Sequence, residues 1–80
     1  MFDYQKLRGR IKEKLKKENE FAKRIGISAT SLSYKLNGGS DFTATEIYNA
    51  CKEDVLDIPK EEIADYFFTE KLELNSSKII

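Results

Sequence analysis

Apolar residues recur at intervals of three and four along most of the chain, the period of an amphipathic helix. Tyr4, Leu7, Ile11 and Leu15 make the first such stripe. With Asp3 as N-cap, it predicts helix 1 over about Tyr4 to Lys17. Gly9 falls inside it, at a cost of about 1 kcal/mol relative to alanine. Phe21, Ala22 and Ile25 predict a short second helix over roughly Glu18 to Ile25. Gly26 stops it, since glycine enters the left-handed region without a Cβ penalty. Ser28 caps a third helix, Ala29 to about Asn37, with Leu32 and Leu36 on its buried side.

Thr43-Ala44-Thr45-Glu46 is the sharpest local signal, a capping box in which hydroxyl and carboxylate each accept an orphan backbone N–H. It predicts helix 4 to about Glu53, with Ile47, Ala50 and Cys51 inward. Pro59 suits the first turn of a fifth helix, Glu61 and Glu62 suit its positive dipole end, and Ile63, Ala64, Tyr66 and Phe67 are its apolar residues. From Phe68 the period changes. Phe68, Glu70, Leu72 and Leu74 alternate with Thr69, Lys71 and Glu73, as in a short extended strand. The expected fold class is all-α: a compact domain of five short helices over residues 1–68, then a C-terminal extended arm, 69–80.

Composition narrows the chemistry. The 80 residues include no histidine and no tryptophan, and Cys51 is the sole cysteine. An internal disulfide, a histidine-containing zinc site and a Cys–His or Ser–His nucleophile are therefore excluded. A chain this short seldom encloses a pocket, so the expectation is a binding module, not an enzyme, with no cofactor and no small-molecule ligand. No apolar run approaches the roughly 18 residues that cross a bilayer, and the N-terminal residues carry no signal-like apolar segment. The expected location is cytoplasmic, with no membrane partner.

The zero net charge conceals a division. Residues 1–40 hold ten bases and four acids, and residues 41–80 hold four bases and ten acids. Either one face attracts polyanions and another repels them, or both sets merely keep a small protein soluble.

The stretch Phe21-Ala22-Lys23-Arg24-Ile25-Gly26-Ile27-Ser28 has a mechanical reading. Ala22 is small where the next helix crosses it, Gly26 makes the turn, and Leu32 packs back between the two helices, the plan of a helix-turn-helix. Residues 4–68 resemble the helix-turn-helix domain of lambda-repressor-like (Cro/C1, XRE-type) regulators. The stretches KLRGRIKEKL, FAKRIGIS, LSYKLNGG and IPKEEIADYFF are most similar to small phage-encoded repressor or Cro-like proteins of Gram-positive phages.

The resemblance implies a sequence-specific transcriptional regulator that binds double-stranded operator DNA as a homodimer, in a bacterial host. It places the recognition helix at about 29–37, with Ser28, Ala29, Thr30, Ser31, Ser33 and Tyr34 toward base edges. Arg8, Arg10, Lys23, Arg24, Lys35 and Asn37 are the expected backbone contacts. Phe68, Leu72 and Leu74 are the expected dimerisation residues, the competing reading being an arm that folds back on its own bundle or stays loose. Two departures stand out. Glu18 replaces the glutamine with which many relatives open the first helix of the motif, and the recognition helix has no arginine or glutamine. Readout then depends on hydroxyl, methyl and water-mediated contacts or on DNA shape. The competing reading is a protein-interaction module that keeps the helix-turn-helix core and binds a repressor or antirepressor.

Overall fold

The computed structural model describes residues 2–70. Five α-helices and one 3-10 turn follow in order: α1 (Gln5–Leu15), α2 (Glu18–Ile25), α3 (Ala29–Leu36), α4 (Ala44–Ala50), the 3-10 turn Lys60–Glu62, and α5 (Ile63–Phe67). Among the described residues there is no strand.

Helix α1 is shorter than its apolar stripe predicts. Tyr4 is its N-cap residue, while the Asp3 carboxylate accepts the Gln5 N–H at 2.9 Å. At its end Lys16 enters positive φ, 72°, and its N–H donates to the Ile11 and Lys12 carbonyls at 3.2 Å each. This reversal lets α2 pack back on α1, and it uses a lysine where glycine would be the ordinary signal.

Helix α2 ends as its sequence predicts. Gly26 has φ 84° and ψ 28°, and the Ile27 N–H donates back to the Ala22 carbonyl at 3.0 Å, the long bond of a Schellman motif. Two residues later the Ser28 hydroxyl accepts the Ser31 N–H at 3.0 Å and opens α3. The capping box of α4 is complete. Thr43 N–H donates to Glu46 Oε1 at 2.9 Å, and Glu46 N–H donates to Thr43 Oγ1 at 3.1 Å.

Helix α4 stops at Ala50 and does not reach Glu53. The chain instead folds under itself: Leu56 N–H donates to the Ala50 carbonyl, Ile58 N–H to that of Cys51, and Asp57 takes φ 52°. That path sinks Val55, Leu56 and Ile58 into the core, where an extended α4 would carry part of this segment into solvent. The fifth helix is split for a related reason. Pro59 is extended, a 3-10 turn follows, and the α-helix proper begins at Ile63. Tyr66 and Phe67 are buried there, whereas Ala64 is exposed.

Helix α2 packs against α1, α3 and α4, and α1 also meets α5. Phe21 and Ala22 on α2 are essentially inaccessible, as are Leu7 and Ile11 of α1, Leu32 of α3 and Ala50 of α4. Truncating Phe21 to alanine would cost about 3–5 kcal/mol, a large share of the stability of so small a domain. A series of edge-on aromatic contacts ties the ends together. Phe68 meets Phe2, Phe2 meets Tyr4, Tyr4 meets Phe42, and Phe42 meets Phe67, with centroids 5.3–6.4 Å apart. Beside this series the arm begins against the protein's own N-terminus. Asp3 N–H donates to the Thr69 carbonyl at 2.7 Å, and Phe2 and Glu70 form an isolated antiparallel bridge. No helix among the described residues is long and apolar enough to cross a membrane.

Candidate nucleic-acid interface

Leu32 and Leu36 turn α3 so that its opposite face is outward. Ser28, Ala29, Thr30, Ser31, Ser33 and Tyr34, the six positions expected to meet bases, are all exposed, and the Tyr34 side chain is the most conspicuous at 61%. Ser28 keeps its capping role and also donates from its hydroxyl to Ser31 Oγ at 3.1 Å. Ala29, Thr30, Ser33, Tyr34, Asn37 and Gly39 line an open hollow of about 560 Å³. None of these side chains carries a formal charge at neutral pH. The face therefore offers hydroxyls, methyls, one carboxamide and one aromatic ring.

The expected backbone-contacting residues divide into two groups. Arg8 spans three helices: its guanidinium donates to Glu18 at the start of α2 and to Asn37 Oδ1 at the end of α3, both at 3.1 Å. Lys23 is exposed and, among the described residues, has no carboxylate partner.

Arg10, Arg24 and Lys35 make hydrogen bonds and ion pairs within the protein itself. Arg10 donates to the Leu56 and Asp57 carbonyls, 2.9 Å each, and so fastens α1 to the segment after α4. Arg24 pairs with Glu20 at 3.0 Å and donates to the Asp54 carbonyl at 2.7 Å. Lys35 lies between Glu46 Oε1, 3.1 Å, and the Asp41 carbonyl, 3.0 Å.

Two further cations emerge from the structure. A groove on α1 is lined by Arg8, Lys12 and Lys16 together with Gln5, Gly9, Ile11 and Glu18. Arg8 and Lys12 are four apart, on one side of α1, a spacing visible in the sequence, and Lys16, just past the end of the helix, lines the same groove. Through Asn37 this groove meets the α3 hollow, since Asn37 both lines the hollow and accepts from Arg8.

Burial shifts proton loss at two side chains outside α3 and the α1 groove. Burial, and secondarily the Asp41 carboxylate, push the Tyr4 hydroxyl above its ordinary value of 10.0. Burial also raises the Cys51 thiol, which is half-buried. Cys51 contributes to a second, largely apolar hollow with Tyr48, Lys52, Ile58, Lys60 and Ile63. Among the described residues no group of three or more acidic or cysteine side chains is placed to hold a metal ion. Of the expected dimerisation residues, Phe68 is 48% exposed with its ring edge-on to Phe2. Leu72 and Leu74 lie outside the described residues.

These features define a small, compact, all-helical domain whose second and third helices are joined by a tight glycine turn, an arrangement compatible with a helix-turn-helix. A family described as "Protein of unknown function (DUF739)" matches residues 1–70, and the chain belongs to that family. No curated protein matches the chain.

Proposed function

We propose that the chain is a sequence-specific DNA-binding regulator of the lambda-repressor-like, Cro/C1 type, and that it inserts α3 into the major groove of operator DNA. The observation that carries this reading is the uncharged, hydroxyl-rich outer face of α3 beside the Arg8–Lys12–Lys16 groove. In such an arrangement the cations hold phosphates and set register, while the neutral face meets base edges. Arg8 and Lys23, with Lys12 and Lys16, are the proposed phosphate contacts. Because one copy reads few base pairs, the operator-bound form is a homodimer on a two-fold site, with the exposed Phe68 and, beyond the described residues, Leu72 and Leu74 as its proposed contacts. The setting is the cytoplasm of a bacterial host, with the gene carried by a phage or prophage.

Retention of duplex DNA as salt is raised tests the reading. Neutralising about five phosphates per copy gives a log–log slope of roughly −4.5. Absence of any salt-sensitive retention at low ionic strength, on a random-sequence pool, would contradict it. The exposed Tyr48, at 71%, and the apolar hollow beside it favour a second reading, in which a protein partner is bound by that side. Binding of that kind is far less sensitive to salt.

A further inference from the structure

The chemistry of the α3 hollow limits which base it can read, an inference that rests on the proposed DNA-binding function. Two of the strong ways of reading a base are closed to it, and a third is confined to its rim. Guanine is best read by an arginine fork or a lysine amine. The sole cation of α3, Lys35, is held by Glu46 and the Asp41 carbonyl, with its side chain only 13% exposed. Adenine is read by a carboxamide that accepts and donates together. Asn37 is the one carboxamide lining the hollow, and the Arg8 guanidinium on its Oδ1 occupies one of that oxygen's two lone pairs and orients it at the rim. Cytosine is read by a carboxylate, and α3 contains none. What remains are the Thr30 and Ser33 hydroxyls, the Ala29 and Thr30 methyls, and the Tyr34 ring.

The ring lies against Gly39. A Cβ built at that position would lie 2.5 Å from Tyr34 Cζ and 2.6 Å from Cδ1, far inside contact distance. Gly38 has φ 90°, but the φ of Gly39 is not in the left-handed region. Gly39 therefore matters here for room and not for backbone conformation: a side chain at this position would push the exposed Tyr34 ring off its present place. With no side chain there, the ring lies along the α3–α4 loop and walls the hollow, and the Gly39 N–H donates to the Tyr34 carbonyl at 2.8 Å.

We propose that this hollow seats the C5-methyl of thymine, with Ala29, Thr30 and Tyr34 as apolar walls and Gly39 as the residue that positions the Tyr34 ring. Thymine is the base that presents a methyl group in the major groove. The hollow has the neutral lining that such a group needs, and Arg8 stands at its Asn37 rim for the adjoining phosphate.

The test uses the full chain and DNA sites that it selects from a random-sequence pool. Each thymine of a selected site is replaced in turn by deoxyuridine, which pairs identically and lacks only the methyl. At one or two thymines per half-site the replacement is expected to weaken binding about three- to fivefold, the effect of one buried methyl. Tyr34→Ala should abolish that sensitivity, as should Gly39→Ala, and adding Gly39→Ala to Tyr34→Ala should change nothing further. Selective binding that ignores every deoxyuridine overturns the methyl seat and leaves the DNA-binding reading standing. A Gly39→Ala protein that circular dichroism shows to be folded, with full sensitivity, overturns the role of Gly39. No selection of any site overturns the reading beneath both.

Discussion

Lys35 on α3 and Glu46 on α4 form an ion pair of 3.1 Å, with only 13% and 12% of their side chains exposed. The same Glu46 oxygen accepts the Thr43 N–H of the capping box. One carboxylate thus starts α4 and anchors α3 to it. Since the α3 hollow is walled by residues on both sides of Lys35, this pair fixes the angle at which the outer face is presented.

Glu46→Ala removes both interactions and leaves a nearly buried ammonium without its carboxylate, so it should lower stability by about 2–3 kcal/mol. Glu46→Gln keeps an oxygen for the cap and loses only the ion pair, and should cost clearly less. Urea denaturation of both variants checks the order, and equal losses would show that the ion pair contributes little.

Arg10 is expected to matter for folding and hardly at all for DNA. Its guanidinium meets two carbonyls at once, Leu56 and Asp57, a geometry that an ammonium does not reproduce. Arg10→Lys should therefore cost about 1–2 kcal/mol in a urea titration. DNA retention by the folded fraction should be unchanged. A selective loss of DNA retention at unchanged stability would return Arg10 to the phosphate-contacting group.

Glu18 faces the cationic groove and shares Arg8 with Asn37. The pair is half-exposed and worth at most about 1 kcal/mol to stability. Glu18→Gln removes a negative charge beside the proposed phosphate path and releases the Arg8 fork. DNA affinity should rise severalfold at low salt, across all sequences alike, with a steeper salt slope. Weaker DNA binding would mean that Glu18 is needed to hold Arg8 in place.

Alkaline pH should destabilise the fold. Tyr4 and Cys51 both have their proton loss pushed upward by burial. The unfolded chain then releases these protons at lower pH than the folded one. Their contribution is fully present below the ordinary values of 9.0 for Cys51 and 10.0 for Tyr4, and is lost as pH rises through the folded values. The urea midpoint should be level across neutral pH and fall above about pH 9, and Tyr4→Phe should remove the tyrosine share. A midpoint that climbs over this range would contradict the sign.

Local signals in the sequence were legible wherever the partner lay within a few residues. The Thr43–Glu46 box, the Ser28 cap and the left-handed Gly26 all depend on atoms at most five residues apart, and all three are present. The end of α1 was not legible, because Lys16 adopts a backbone conformation that its side chain does not advertise. Nor was the end of α4, which yields to the burial of Val55, Leu56 and Ile58 by a backward turn of the chain.

For the candidate site the outcome follows the same division. Which side of α3 faces outward was set by Leu32 and Leu36 at helical spacing. The destination of each cation was not, because its partner is remote: Arg10 finds Leu56 and Asp57, Arg24 finds Asp54, and Lys35 finds Glu46. Charge counting sees the cations but not the carbonyls that claim them.

In the proposed function the outer face of α3 and the groove on α1 together contact DNA. An NMR titration of the isotope-labelled chain with a selected duplex tests it most directly, since each backbone amide reports its own surroundings. The largest shifts are expected at residues 28–34 and at Arg8, Lys12 and Lys16. Shifts centred instead on Tyr48, Cys51 and Ile63, with residues 28–34 unmoved, would contradict it.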